Sequence, residues 1–84
     1  MDNQELAKKV DAVLCNKYEK LKTLSWDDYF VDHNALDSLD VIEMVLVLES
    51  DLGIKIPDAD ATEENLGSKR AIYEYLLRRL YKPA

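Results

Sequence analysis

Eighty-four residues, 48% hydrophobic and 33% charged, leave room for one small domain over 1–84 with a thin core. Two glycines and two prolines supply few breakers, so the long periodic stretches should be helical. The net charge of −6 conceals an acidic centre, because Asp27 to Glu64 holds twelve acids against Lys55 alone while the flanks carry +5; such a field repels nucleic acid and anionic lipid and attracts basic protein surfaces.

In chain order, the first periodic segment runs from about Asn3 to Leu21. Leu6, Val10, Val13, Leu14, Tyr18 and Leu21 fall at spacings of three and four, which predicts an amphipathic helix capped by Asp2 or Asn3. Residues 22–36 lose that period and predict a long loop, pinned to the core by Leu24, Trp26, Tyr29 and Phe30. A second helix should open at Asp37 or Ser38 and stop near Leu52 at Gly53. Asp37 and Asp40 have the spacing of a capping box, and Leu39, Ile42, Val45, Leu46, Leu48 and Leu52 repeat at helical intervals. After the turn forced by Pro57, Asp58 or Asp60 should cap a short helix ending near Leu66 and Gly67. Ser68 should cap a last helix reaching Tyr81, with an apolar stripe of Ile72, Tyr73, Leu76, Leu77 and Leu80 and the bases Arg78, Arg79 and Lys82 at its end. The expected fold is all-α, a small antiparallel four-helix bundle with three longer helices and one short one.

The chain offers little for catalysis. Cys15 is the only cysteine, which suits a reducing compartment and a structural thiol, and zinc sites need more Cys and His than are present. A serine hydrolase built on Ser38 would have only His33 as its base, with no visible oxyanion hole. In the run that begins DADATEEN at Asp58, Glu63 and, beyond it, Lys69 stand where a calcium loop needs its glycine and its bidentate glutamate. The longest apolar run, Met44 to Leu48, is too short to cross a bilayer, and no secretory signal follows Met1. A cytoplasmic, monomeric protein that is not an enzyme is expected.

Ser38 sits in the motif DSLD at 37–40, followed by VIEMVLVLESD and then by Ile56, Pro57 and Asp58. This succession resembles the acyl carrier proteins, and more loosely the likeness covers almost the whole chain. The resemblance implies that Ser38 carries 4'-phosphopantetheine, attached by a phosphopantetheinyl transferase, and that acyl thioesters on the arm pass to acyl-transferring, chain-elongating or ligase enzymes with basic docking patches. It places Asp37, Asp40, Glu43 and Glu49 opposite those patches and Leu39, Ile42 and Leu46 between them, although core packing accounts equally well for the apolar three. It also implies a core that opens around the acyl chain, where Val45, Leu48, Ile56, Ile72 and Leu76 stand as lining or as plain core. Two departures are visible. His33, Asn34, Ala35 and Leu36 replace the family's acid-Leu-Gly run, with Leu36 supplying the lost apolar anchor, and Ser50 replaces an acid. They leave open whether the pathway is fatty-acid, polyketide, specialised lipid or aminoacyl (peptidyl or D-alanyl-type). The contrasting reading is an unmodified acidic interaction module.

Overall fold

The computed structural model describes residues 3–80, except the side chains of Asn3 and Ser38. Helix α1 spans Asn3–Lys17, α2 Ser38–Leu52, α3 Glu63–Leu66 and α4 Lys69–Leu80, with three short 3-10 turns between them. Three longer helices and one short helix therefore form a small helical bundle, with no strand among the described residues. The predicted caps at Asp2 or Asn3 and the end at Tyr81 and Lys82 fall on residues or side chains outside that description.

Leu6, Val10 and Leu14 bury one face of α1 in the core shared with Met44, Leu48, Ile72 and Leu76. The helix ends at Lys17, four residues before the predicted Leu21. Tyr18 is extended (φ −125, ψ 97), and its hydroxyl lies 3.1 Å from both the Asp40 carbonyl and a Glu43 carboxylate oxygen on α2. An aromatic side chain anchored to the second helix turns the backbone out of register, and the 3-10 turn Glu19–Thr23 then delivers Leu21 to the core.

The segment between α1 and α2 is a loop as expected, carrying a single 3-10 turn at Val31–His33 after the one that ends at Thr23. Phe30 and Ala35 are buried and Leu24, Trp26 and Leu36 are partly buried. Tyr29, expected among the pins, is 44% exposed, because the backbone turns inward at Phe30 instead. Asn34 takes the left-handed conformation (φ 51), which asparagine tolerates better than most residues. Two backbone bonds tie this loop to the far end of the chain, Phe30 N–H to the Gly67 carbonyl (2.8 Å) and Arg70 N–H to the Trp26 carbonyl (3.0 Å). Trp26 also meets Tyr73 edge-on, with ring centroids 5.7 Å apart.

Gly67 cannot be enlarged at this junction. A Cβ there would lie 2.4 Å from the Glu63 carbonyl oxygen, so α3 or the loop that bonds to Gly67 would have to move. Gly67→Ala is expected to cost about 1–3 kcal/mol as an overpacking defect, read as a lower denaturation midpoint.

Pro57 opens a 3-10 turn at Asp58–Asp60, and Ala61 (φ −81, ψ 67) interrupts it. Helix α3 is therefore capped by Thr62, not by Asp58 or Asp60; the Thr62 hydroxyl accepts the Asn65 N–H. Ser68 caps α4 as predicted, accepting the Ala71 N–H at 3.0 Å. The buried stripe of α4 is Ile72, Tyr75 and Leu76; Tyr73 and Leu77 are half-buried and Leu80 is exposed. Tyr75 enters the core because its hydroxyl has a partner, donating to the Asp60 carboxylate at 2.7 Å.

Burial, followed by the bond to Asp60, pushes the Tyr75 phenol from the ordinary value of 10.0 up to about 12. The folded state therefore holds the phenolic proton more tightly than the unfolded state does. The resulting stability is complete below about pH 10 and is lost as pH rises toward about 12. Alkaline denaturation should set in over that window, and Tyr75→Phe should flatten this part of the pH–stability curve.

Candidate functional site

The start of α2 is built by a reciprocal cap. The Asp37 carboxylate accepts the Asp40 N–H (2.8 Å) and the Asp40 carboxylate accepts the Asp37 N–H (3.2 Å). Asp37 is the N-cap and Ser38 the first helical residue, so the cap needs nothing from Ser38. At the other end Gly53 (φ 66) closes the helix, its N–H bonding to the Glu49 carbonyl. Local sequence accounts for both boundaries.

The face that α2 turns inward carries Met44 and Leu48, with Val41, Val45 and Leu52 partly buried beside them. Leu39, Ile42 and Leu46 lie on the neighbouring face and are 76%, 60% and 60% exposed. They are therefore not core residues. Three aliphatic side chains exposed in one row, three and four residues apart, form an apolar strip beginning next to Ser38.

Carboxylates border this strip. Glu43 and Asp37 are exposed, and Asp40 is half-exposed. Glu43 is held from α1, with one oxygen 3.1 Å from the Tyr18 hydroxyl and 3.8 Å from the Lys17 ammonium. Burial, then the bond to Glu43, raises the Tyr18 phenol well above its usual value, so it remains a neutral donor at any physiological pH. Nothing in the helical periodicity of α1 distinguishes Tyr18 from an ordinary core residue, and its role at this site was not predicted. The Glu49 carboxylate accepts the Ile56 N–H at 2.8 Å, which fixes the segment leaving α2.

Beside the first turns of α2 lies an apolar hollow of ≈ 310 Å³, lined by Phe30, Val31, Leu36, Val41, Leu66 and Gly67. Leu36 reaches it from the altered run before Ser38, so it does supply an apolar anchor there. The five residues weighed as cavity lining do not form this hollow: Leu48, Ile56, Ile72 and Leu76 are core, and Val45 packs partly against them. Loop residues such as Phe30 and Val31 carry no helical period, which is why periodicity passed over them.

Residues weighed for other chemistry are otherwise engaged. The His33 imidazole lies 3.7 Å from the Asp28 carboxylate, and Asp28 in turn accepts the Ser25 N–H, a bond that lowers its carboxyl pKa. Cys15 is half-buried, donates to Asp11 at 3.6 Å, and has its thiol pKa raised mainly by burial. No cluster of ligands suited to a metal ion occurs among the described residues, and none of their helices is long and apolar enough to cross a membrane.

Comparison with known proteins points the same way as this geometry. The family described as "Phosphopantetheine attachment site" matches residues 8–76. An acyl carrier protein of Treponema denticola is 37% identical over 73 residues, covering 86% of this chain and 91% of the relative.

Proposed function

The chain belongs to the acyl carrier protein family, whose members bear covalently attached 4'-phosphopantetheine and are carriers, not enzymes, and from that premise we propose that Ser38 bears the arm. The observation that carries the assignment is the division of labour at the start of α2. Asp37 makes the cap, which leaves the first helical residue to be modified without loss of the helix end. The residues present fit the group. A phosphodiester on Ser38 sits at a helix N-terminus, where the dipole favours an anion. The Asp37 and Asp40 carboxylates are turned onto backbone N–H groups, which offsets part of their repulsion of that anion. When bound, the arm supplies the thiol on which acyl groups are held as thioesters.

Around Ser38 the chain supplies recognition. Asp37, Asp40 and Glu43 offer carboxylates to basic patches on the phosphopantetheinyl transferase and on acyl-transferring, elongating or ligase enzymes, while Leu39, Ile42 and Leu46 add apolar contact. Glu49 contributes by holding the end of this face in shape. Charge steering of this kind favours fast, reversible encounters, which suits a carrier that must leave one enzyme for the next. The hollow beside α2 offers shelter to the apolar part of a cargo. We place the protein in the cytoplasm as a monomer, serving fatty-acid, polyketide or related biosynthesis.

Incubation with an acyl coenzyme A and a broad-specificity transferase tests the reading. The folded protein should gain one acyl-phosphopantetheinyl group, and neutral hydroxylamine should then release the acyl part alone, as a thioester requires. Folded protein that takes no group from several transferases would overturn the assignment and leave an acidic interaction module.

A further inference from the structure

Ile42 and Leu46, though exposed, border a groove of ≈ 480 Å³. With Val45 they form one wall of it, and the segment Lys55–Asp58, returning alongside α2, forms the other. The return is fixed from two sides: Glu49 accepts the Ile56 N–H, and the Arg79 guanidinium donates to the Lys55 carbonyl. The groove thus has a defined shape and an apolar floor, and Lys55 is exposed on its rim.

Lys55 is the single base between Asp27 and Glu64. Its position grades the charge along the face. Toward Ser38, Asp37, Asp40 and Glu43 stand against Lys17; toward the groove, Lys55 and Arg79 balance Glu49 and Asp58. A side chain filling the groove would strip water from the Lys55 ammonium, which costs free energy unless an anion meets it. A wholly basic partner gains less here than beside Ser38, because Lys55 and Arg79 offset the carboxylates of the groove.

We infer that the groove takes an apolar side chain of a partner protein that also sets a carboxylate against Lys55, so that the docking face selects partners that are basic toward Ser38 and acidic toward Lys55. The inference takes its purpose from the carrier reading and adds to it an orientation along α2. An exposed ion pair contributes little affinity, so its effect is on which partners bind and how they are turned.

Two helical peptides provide the test. Each presents a central leucine with arginines at one end; the other end carries glutamates in the first peptide and arginines in the second. Affinities are measured for the 84-residue parent chain, for Lys55→Glu and for Lys22→Glu, which makes the same charge change on an exposed residue of the 3-10 turn after α1. The peptides differ in net charge, so the Lys22→Glu chain measures how far the general attraction of an acidic protein for cations moves the ratio of the two affinities. Lys55→Glu should shift that ratio about fivefold toward the all-arginine peptide, the effect of turning one surface attraction into a repulsion, whereas Lys22→Glu, felt only through the general field, should shift it far less. No shift with Lys55→Glu, an equal shift with Lys22→Glu, or binding of neither peptide would overturn the inference. Modification of Ser38 is read separately by mass, so a chain that loads normally without this shift refutes the groove alone.

Discussion

Ser38→Ala is expected to abolish uptake of phosphopantetheine while leaving the fold intact. The loss should be complete, because the substitution deletes the one oxygen on which the phosphodiester would form. The fold should be unchanged because the bonds that start α2 belong to Asp37 and Asp40. Stability should therefore stay within about 0.5 kcal/mol of the parent, as for a surface change that breaks no cap. Asp37→Ala should do the reverse in stability, removing the cap at a cost of about 1 kcal/mol. Thermal or urea denaturation of the two variants, set beside their modification by a transferase, separates the cap from the attachment point. A Ser38→Ala protein that unfolds much more easily than the parent would return the serine to a structural role.

Lys69→Ala is expected to damage the fold more than Ser38→Ala, Asp37→Ala or Gly67→Ala. Lys69 begins α4, is 3% exposed, and runs its stem through the junction of α1, α4 and the loop. Its ammonium donates to the Leu24 carbonyl at 3.2 Å and lies 3.4 Å from the Asp11 carboxylate. Truncation removes the packed stem and leaves the Leu24 carbonyl without this donor. Those losses together should cost about 2–4 kcal/mol, a large part of the about 5–15 kcal/mol typical of a whole domain. Lys69→Met keeps the packed stem and removes the charge, and should cost distinctly less, because the packing is retained and the Asp11 carboxylate it leaves is 47% exposed and stays hydrated. Urea denaturation should show a lower midpoint at unchanged slope, in the order parent, Met, Ala. Equal midpoints for Ala and parent would show that the contacts of Lys69 contribute nothing.

Lys69 also marks where sequence reading stops. At the head of an amphipathic helix it reads as an exposed base, and the two groups that its ammonium meets, Leu24 and Asp11, are far away in the chain. The same holds for Tyr18, whose spacing is that of a core residue and whose hydroxyl is spent on α2. By contrast, both ends of α2 were legible, because the Asp37–Asp40 pair and Gly53 act through bonds within a few residues. The cap on Ser68 was legible for the same reason. The short helix α3 was placed correctly but given the wrong cap, since Pro57 spends Asp58 and Asp60 in a separate turn.

Helix α2 shows the limit most clearly. It carries two apolar rows at helical spacing, one through Met44 and Leu48 and one through Leu39, Ile42 and Leu46, and either row alone would make a sound core stripe. Only the packing of α1 and α4 decides which row is buried, and the row left outside forms the apolar strip that starts beside Ser38.

Site-resolved mass spectrometry of the protein after incubation with coenzyme A and a phosphopantetheinyl transferase tests the central claim most directly. The account predicts one added phosphopantetheinyl group per chain, found on the peptide that contains Ser38 and absent from the Ser38→Ala protein. A group attached at any other residue, or an unmodified parent chain whose fold has been verified, would contradict it.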